Sequence, residues 1–221
     1  MKRIPEPELM NESEQARAYA EADFEESNTL FVDLFCERFP GFRDGRVLDM
    51  GCGPADITIR LAGVLPEANV DGVDGASEML RFGRERLARD RALASRVTLI
   101  EGLIPGVELP VCQYDALVSN SLLHHLHRPE VLWQAICELS SPGAAVLIMD
   151  LFRPESLEQA ESLVESYAPD APVVLQQDFY NSLLAAFSQE EVRLQLIDNQ
   201  IDTLVVETVS DRHMLISGSM P

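Results

Sequence analysis

The residues best suited to chemistry lie in one stretch of this 221-residue chain, Arg46-Val47-Leu48-Asp49-Met50-Gly51-Cys52-Gly53-Pro54-Ala55-Asp56. It reads as a buried strand, a glycine turn and the opening of a helix. Glycine has no Cβ and tolerates positive φ, so a ligand can approach bare backbone there. The carboxyl end of a parallel strand is where a nucleotide-type ligand usually sits. The charges around the turn narrow the choice. A dinucleotide fingerprint needs a third glycine where Asp56 stands, and a carboxylate at a helix N-terminus takes the place of a pyrophosphate. The G-K-[ST] of a phosphate loop is absent from the sequence. These features point to a nucleoside-like ligand without phosphates.

About one βα unit later, Asn69-Val70-Asp71-Gly72-Val73 ends in Asp74. An acidic residue at roughly this distance beyond the turn commonly holds ribose hydroxyls. S-adenosylmethionine (SAM) fits the pattern: a ribose and an adenine, no phosphate, and two cationic groups that acidic neighbours favour. Asp49 is placed to accept from its ammonium, directly or through water. The run Val47–Gly53 followed by Gly72-Val73-Asp74-Gly75-Ala76-Ser77-Glu78-Met79-Leu80 resembles the class I SAM-dependent methyltransferases, most closely their small-molecule branch. The likeness is strong over roughly residues 45–150 and holds only in outline elsewhere. It implies a cofactor set of Asp49, Gly51, Cys52 and Gly53 in the turn, and Asp74 with Gly75 at the ribose. Met79 would pack on the adenine, and Gly102 and Leu103 would border it. Two departures stand out: Ala55 replaces the third glycine of the motif, and Leu103 stands where the family often has Asp. Asp56 either borders the site or caps the helix that follows.

In Asp115-Ala116-Leu117-Val118-Ser119-Asn120-Ser121-Leu122-Leu123-His124-His125-Leu126, the first half reads as a strand with Ser119 and Asn120 at its carboxyl end. That is the ligand side of a doubly wound sheet. The [ND]-P-P-[YF] tetrapeptide of enzymes methylating adenine or glutamine amides is missing. His124 and His125 divide between scaffold and catalysis: a histidine there can bond the backbone and hold the loop, or act as general base on an alcohol or ammonium acceptor. Arg153, after the fifth strand, is a candidate partner for a substrate carboxylate, with a surface ion pair as the alternative. Tyr19 and Tyr180 reach the substrate if their segments form a lid. His127 and His213 read as surface or structural residues.

The elements that must position these groups follow an α/β pattern. Short apolar runs at 46–50, 69–73, 97–101, 115–119 and 144–150 alternate with amphipathic segments. This is the signature of a Rossmann-like doubly wound sheet, mostly parallel. The whole chain is expected to be one domain: an N-terminal helical cap (1–44), a cofactor-binding core (45–150), and a helical insertion with a closing antiparallel hairpin (151–221). Residues 1–11, rich in Pro and Glu, are expected to be loose. Asn28 is expected to cap the second helix, Pro129 to open another, and Ser188 with Glu191 to form a capping box. Leu204–Val209 and His213–Ser217 read as the hairpin. The helices at 12–38 and 155–187 would cover the carboxyl edge of the sheet.

Composition bounds the partners. A net charge of −20 with a single lysine, Lys2, disfavours nucleic acid and anionic membranes as partners. Cys36, Cys52, Cys112 and Cys137 are scattered, as in reduced thiols of a cytoplasmic protein, and offer no metal-ligand spacing. No apolar run has the length of a membrane span, and Met1-Lys2-Arg3-Ile4-Pro5-Glu6 lacks the apolar stretch of a signal peptide. The expected function is SAM-dependent methyl transfer to a small-molecule acceptor, releasing S-adenosylhomocysteine. A methyltransferase acting on protein or RNA, and a non-catalytic SAM-binding regulatory subunit, stay open as alternatives. Neither the acceptor nor the oligomeric state is legible.

Overall fold

The computed structural model describes residues 1–7 and 13–221. Its strands are β1 (Asp44–Met50), β2 (Glu67–Asp74), β3 (Val97–Glu101), β4 (Tyr114–Asn120), β5 (Ser140–Leu151), β6 (Leu204–Thr208) and β7 (His213–Ser219). The helices are α1 (Ser13–Glu21), α2 (Glu25–Arg38), α3 (Asp56–Val64), α4 (Ser77–Leu87), the single turn α5 (Arg91–Ala94), α6 (Glu130–Leu139), α7 (Leu157–Tyr167), α8 (Val173–Ala185) and α9 (Gln189–Asp198).

The strands form one sheet in the order β3-β2-β1-β4-β5-β7-β6. β1 to β5 run parallel, while β7 lies antiparallel to both β5 and β6. Strand order reverses between β1 and β4, and a crevice opens there beyond the carboxyl ends.

The period-2 alternation of the strands divides the core between the two faces of the sheet. Leu48, Met50, Leu117 and Ile148 pack with Trp133 and Ile136 of α6 on one face. Val47, Val70, Val118 and Leu147 pack with Phe31 and Phe35 of α2 and Leu61 of α3 on the other. Strands buried on both faces need near-continuous apolar sequence, as Val146-Leu147-Ile148-Met149 shows. Three carboxylates, Asp49, Asp71 and Asp150, are buried on strands of the sheet. Asp71 accepts from Arg46 at 2.7 Å and from the Tyr114 hydroxyl at 3.0 Å.

The capping box of α9 and the closing hairpin form as expected. Three expectations need correction. β5 begins at Ser140 rather than 144, because Ser140 already pairs with Tyr114 ahead of a register shift. Asn28 is not a cap. It lies inside the first turn of α2, buried, and its amide donates to Asp56 Oδ1 at 3.1 Å. The N-terminal segment is not loose over residues 1–7: Ile4 N donates to Leu184 O at 2.9 Å, and Arg3 donates to the carbonyls of His124 (2.8 Å) and Leu126 (3.1 Å). The rest of that expectation, residues 8–11, lies outside the described residues.

The added helices meet at the carboxyl edge. α1 packs on α4 and α8, and α8 also touches the short 3-10 turn Leu123–His125. Arginines tie this layer to the core. Arg60 of α3 bonds Glu25 and Asp56, and Arg86 of α4 reaches Ala20 O at 2.5 Å and Asp56 Oδ2 at 3.2 Å. Among the described residues, no helix is long and apolar enough to cross a membrane.

Candidate active site

A cavity of about 660 Å3 lies over the carboxyl ends of β1, β2 and β4, roofed by α1 and the start of α2. That size suits a small organic ligand. Its floor is the glycine turn. Gly51 and Cys52 N–H groups donate to Val73 O at 2.8 and 3.0 Å, and Gly53 N–H donates to Asp74 Oδ2 at 2.8 Å. Gly51 has φ +72°, and a Cβ there would meet Leu122 Cδ1 at 2.8 Å, so a side chain is excluded on two counts. Ala55, standing where the motif has glycine, still adopts the left-handed conformation at φ 62°. Gly72 serves the turn from β2: a Cβ would lie 3.0 Å from both Cys52 Sγ and Thr58 Oγ1.

Two carboxylates dominate the electrostatics. Asp49 is 1% exposed and accepts the Thr58 hydroxyl at 2.6 Å. Burial pushes its carboxyl up to about 7; the Thr58 bond opposes this and the charge of Asp74 adds to it. Burial also raises Asp74, against the hydrogen bonds it accepts from Ala76 N (2.7 Å) and Gly53 N. Among the described residues no arginine or lysine lies within ion-pair distance of either. Asn120 adds a third acceptor at the cavity: its Oδ1 is buried without a hydrogen-bond partner, while its amide faces Asn28 Oδ1 at 3.5 Å. Arg60, Arg86 and Arg128 also line the cavity but are paired with Glu25, Asp56 and Glu130, so the acceptor-rich part of the wall is complementary to a ligand that carries positive charge and N–H or O–H donors. A pyrophosphate would be repelled here, and Asp56, already engaged by Arg60, Arg86 and Asn28, sits at the cavity edge.

Most residues expected from sequence line this space: Asp49, Gly51, Cys52, Gly53, Asp74, Gly75, Met79, Gly102, Leu103, Asn120, Tyr19 and His125. Met79 is buried, whereas Leu103 is 58% exposed at the mouth. The Cys52 thiol is held well above its ordinary range by burial and by Asp49, so it is a poor nucleophile. Tyr19 stacks on Phe24 with ring centres 4.7 Å apart, and burial and Asp74 push its hydroxyl up to about 12.

Four expected residues do not reach the cavity. The Ser119 hydroxyl turns to Met50 O at 2.8 Å inside the sheet. His124 is 2% exposed, with Nδ1 bonded to Asp150 Oδ1 at 2.6 Å. Burial works against its charge, but Asp150 prevails and holds the imidazole above its ordinary range. Arg153 is committed to Glu191 Oε1 at 2.8 Å and Ala186 O at 3.3 Å. Tyr180 packs on the satellite cluster of Leu151, Leu163 and Leu183. Strand alternation places Ser119 on the face opposite Val118, while His124 and Arg153 are drawn into ion pairs and Tyr180 into packing.

His125 shares the cavity wall with Leu122, Leu126 and His127. Burial, reinforced by neighbouring His124, drops its pKa well below the ordinary value, so it is neutral and basic-form at physiological pH. Sequence reasoning missed Asn28, His127 and Glu6. His127 lines the cavity with Nε2 2.7 Å from Glu6 O, and Glu6 Oε1 lies 3.2 Å from His125 Nδ1. No sequence signal links Glu6 to histidines about 120 positions away. A polar residue on the apolar face of α2 was a usable signal for Asn28.

Residues 47–143 match the family described as "Methyltransferase domain". The chain is 29% identical over 150 residues to trans-aconitate 2-methyltransferase of Variovorax paradoxus, covering 67% of this chain and 54% of that protein. It thus spans about half the length of that curated relative. A SAM-dependent methyltransferase from Aquifex aeolicus superposes with a TM-score of 0.68 at 16% identity, covering 95% of this chain and 99% of the other. The plantazolicin methyltransferase BpumL, solved in complex with S-adenosylhomocysteine, gives a TM-score of 0.70 at 15% identity over 93% and 90% of the two chains. Residues 47–143 thus match a methyltransferase domain, and the chain as a whole shares the fold of these solved methyltransferases.

Proposed function

We propose that this chain binds SAM in the cavity over β1, β2 and β4 and transfers its methyl group to a small-molecule acceptor, releasing S-adenosylhomocysteine, as a cytoplasmic enzyme. The observation that carries this reading is the acceptor wall of Asp49, Asp74 and Asn120 Oδ1 around a glycine cradle, its two carboxylates without an ion-pair partner among the described residues. A buried acceptor without a partner and two raised carboxyls are costly unless a ligand supplies donors and positive charge. When bound, SAM supplies an electrophilic methyl on sulfonium.

The chain's own residues supply position. Asp49 receives the ammonium and Asp74 the ribose hydroxyls, while Met79, Gly102 and Leu103 border the adenine. Gly51 and Gly53 admit the ligand to the backbone. Tyr19 and His125 face the space left for the acceptor. Alignment of reacting atoms in a walled cavity accounts for much of such a rate. His125, neutral and basic-form, takes a proton where the acceptor is an alcohol or ammonium. The acceptor class is small because the cavity is roofed by α1 and α2 and the net charge of −20 repels nucleic acid. The curated relatives include a trans-aconitate and a ubiquinone/menaquinone methyltransferase, both named for small-molecule acceptors.

The test is release of S-adenosylhomocysteine from SAM with panels of carboxylic acids, phenols, thiols and quinols, against transfer RNA and a mixed protein substrate. Turnover confined to a small molecule and abolished by Asp49→Ala supports the reading. Turnover only on RNA or protein, or SAM binding without turnover on any panel, overturns it.

A further inference from the structure

Beside the cavity, Glu6, His124 and His125 converge; of the three, the proposed methyl transfer calls only on His125, and only with no ion bound. The Glu6 carboxylate lies 3.6 Å from His124 Nε2 and 3.2 Å from His125 Nδ1, and the three ligand atoms all fall within 4.8 Å of one another. All three side chains are largely buried, at 11%, 3% and 15% exposure. Zinc–nitrogen and zinc–oxygen bonds of about 2.0–2.2 Å at tetrahedral angles place neighbouring donors about 3.3–3.6 Å apart. The Glu6–His124 separation matches that edge, the Glu6–His125 separation of 3.2 Å falls just short of it, and the two histidine nitrogens lie within 4.8 Å of each other.

The surroundings fit as well. His124 Nδ1 donates to buried Asp150 Oδ1 at 2.6 Å, so Nε2, 3.6 Å from Glu6 Oε1, is the nitrogen that an ion would take in place of its proton. That is the carboxylate–histidine arrangement that orients a metal-bound imidazole. Asp150 is itself fixed by Leu123 N–H at 2.8 Å. His125 Nδ1 is buried and, despite its closeness to Glu6, makes no hydrogen bond of acceptable geometry. Glu6 Oε1 accepts the Ser182 hydroxyl at 3.0 Å, which holds the carboxylate in place. Three Lewis-basic atoms thus lie within 4.8 Å of one another, and two imidazoles with one carboxylate is a donor set suited to a first-row divalent ion.

We propose that Glu6, His124 and His125 bind one divalent ion of the zinc class. The ion fastens the N-terminal segment to the 3-10 turn beside the cavity, with a fourth coordination position not supplied by these three residues. The site is independent of whether SAM is used for catalysis.

The experiment uses the full, tag-free chain stripped with chelator. Zn2+ alone is titrated against a competing chromophoric chelator, and Co2+ serves as the spectroscopic probe. The expected result is one equivalent bound, tetrahedral Co2+ absorption, and paramagnetically shifted imidazole resonances from two histidines. Glu6→Gln and His125→Gln, each checked for folding by circular dichroism, weaken Zn2+ binding at least tenfold. Absence of Zn2+ binding by the wild-type chain overturns the proposal, because a shared proton then accounts for the cluster. Zn2+ affinity unchanged in folded Glu6→Gln, or Co2+ spectra without shifted imidazoles, overturns it too. The spectra of the wild-type chain decide the question even if a variant fails to fold.

Discussion

The raised carboxyl of Asp49 makes SAM binding a proton-linked event. In the ligand-free protein Asp49 is protonated below about 7, whereas an ammonium beside it favours the ionised form. Binding at pH 6 therefore expels about 0.9 proton, and the apparent dissociation constant is weakened there by a factor of about 11. At pH 7.5 the same factor is only about 1.3. The ligand's own ammonium, with an ordinary pKa of about 7.7–8.0, returns part of the gain. Affinity should thus rise about five- to sixfold from pH 6 to 7.5. Calorimetry in two buffers of different ionisation enthalpy reads both the affinity and the released proton. Asp49→Asn should flatten the profile and remove the proton release. Stability carries the opposite sign. The folded chain holds this proton more tightly than the unfolded one, so Asp49's contribution to the ligand-free protein is full below the ordinary 3.8 and is lost as pH rises through about 7. At about 1.4 kcal/mol per pH unit that loss is capped at about 4 kcal/mol. An affinity that is flat or falls between pH 6 and 7.5, with no proton released at pH 6, would refute the reasoning.

Gly51→Ala should lose about 2–3 kcal/mol in denaturant unfolding, combining left-handed strain at φ +72° with the 2.8 Å approach to Leu122. Ala55→Gly relieves the same kind of strain at φ 62° and should be neutral or stabilising by up to about 1 kcal/mol; a larger loss would contradict the turn geometry. Arg153→Gln should cost about 1–2 kcal/mol of stability through the half-buried pair with Glu191, yet leave the SAM dissociation constant and KM for the acceptor unchanged. A raised acceptor KM would restore Arg153 to the substrate site. His125→Gln should lower kcat at least tenfold with an alcohol acceptor while SAM affinity stays within twofold; undiminished kcat at saturating acceptor removes it as a base.

The glycine-turn half of the candidate site was legible because its constraints are local. The β1 apolar run, the glycines and Asp74 sit within about 30 positions, and each announces itself by residue type: Gly51 by the left-handed turn, Asp49 and Asp74 by charge at strand ends. The mostly parallel sheet followed from the alternation of apolar runs with helices, whereas the order of its strands came from the structure alone. The acceptor side was less legible, since it is assembled from distant pieces. Glu6 reaches the His124–His125 turn only because α8 and the N-terminal segment pack on it. Arg153 and Tyr180 had the right chemistry and the right approximate place, but interior partners claimed them. Ser119 and Asn120 are adjacent, and strand pleating sends one into the sheet and the other to the cavity. The third-glycine position shows the limit in reverse: Ala55 looks like a departure from the motif, yet its backbone keeps the glycine conformation.

The central claim is that Asp49, Gly51–Gly53 and Asp74 form a SAM site. Calorimetric titration of the cofactor-stripped chain with SAM, beside Asp74→Ala and with NAD as control, tests it most directly. The account predicts SAM binding in the micromolar range or tighter, a loss of at least tenfold in a folded Asp74→Ala, and no response to NAD. Absence of SAM binding by the folded wild-type chain, or undiminished binding by Asp74→Ala, would contradict it.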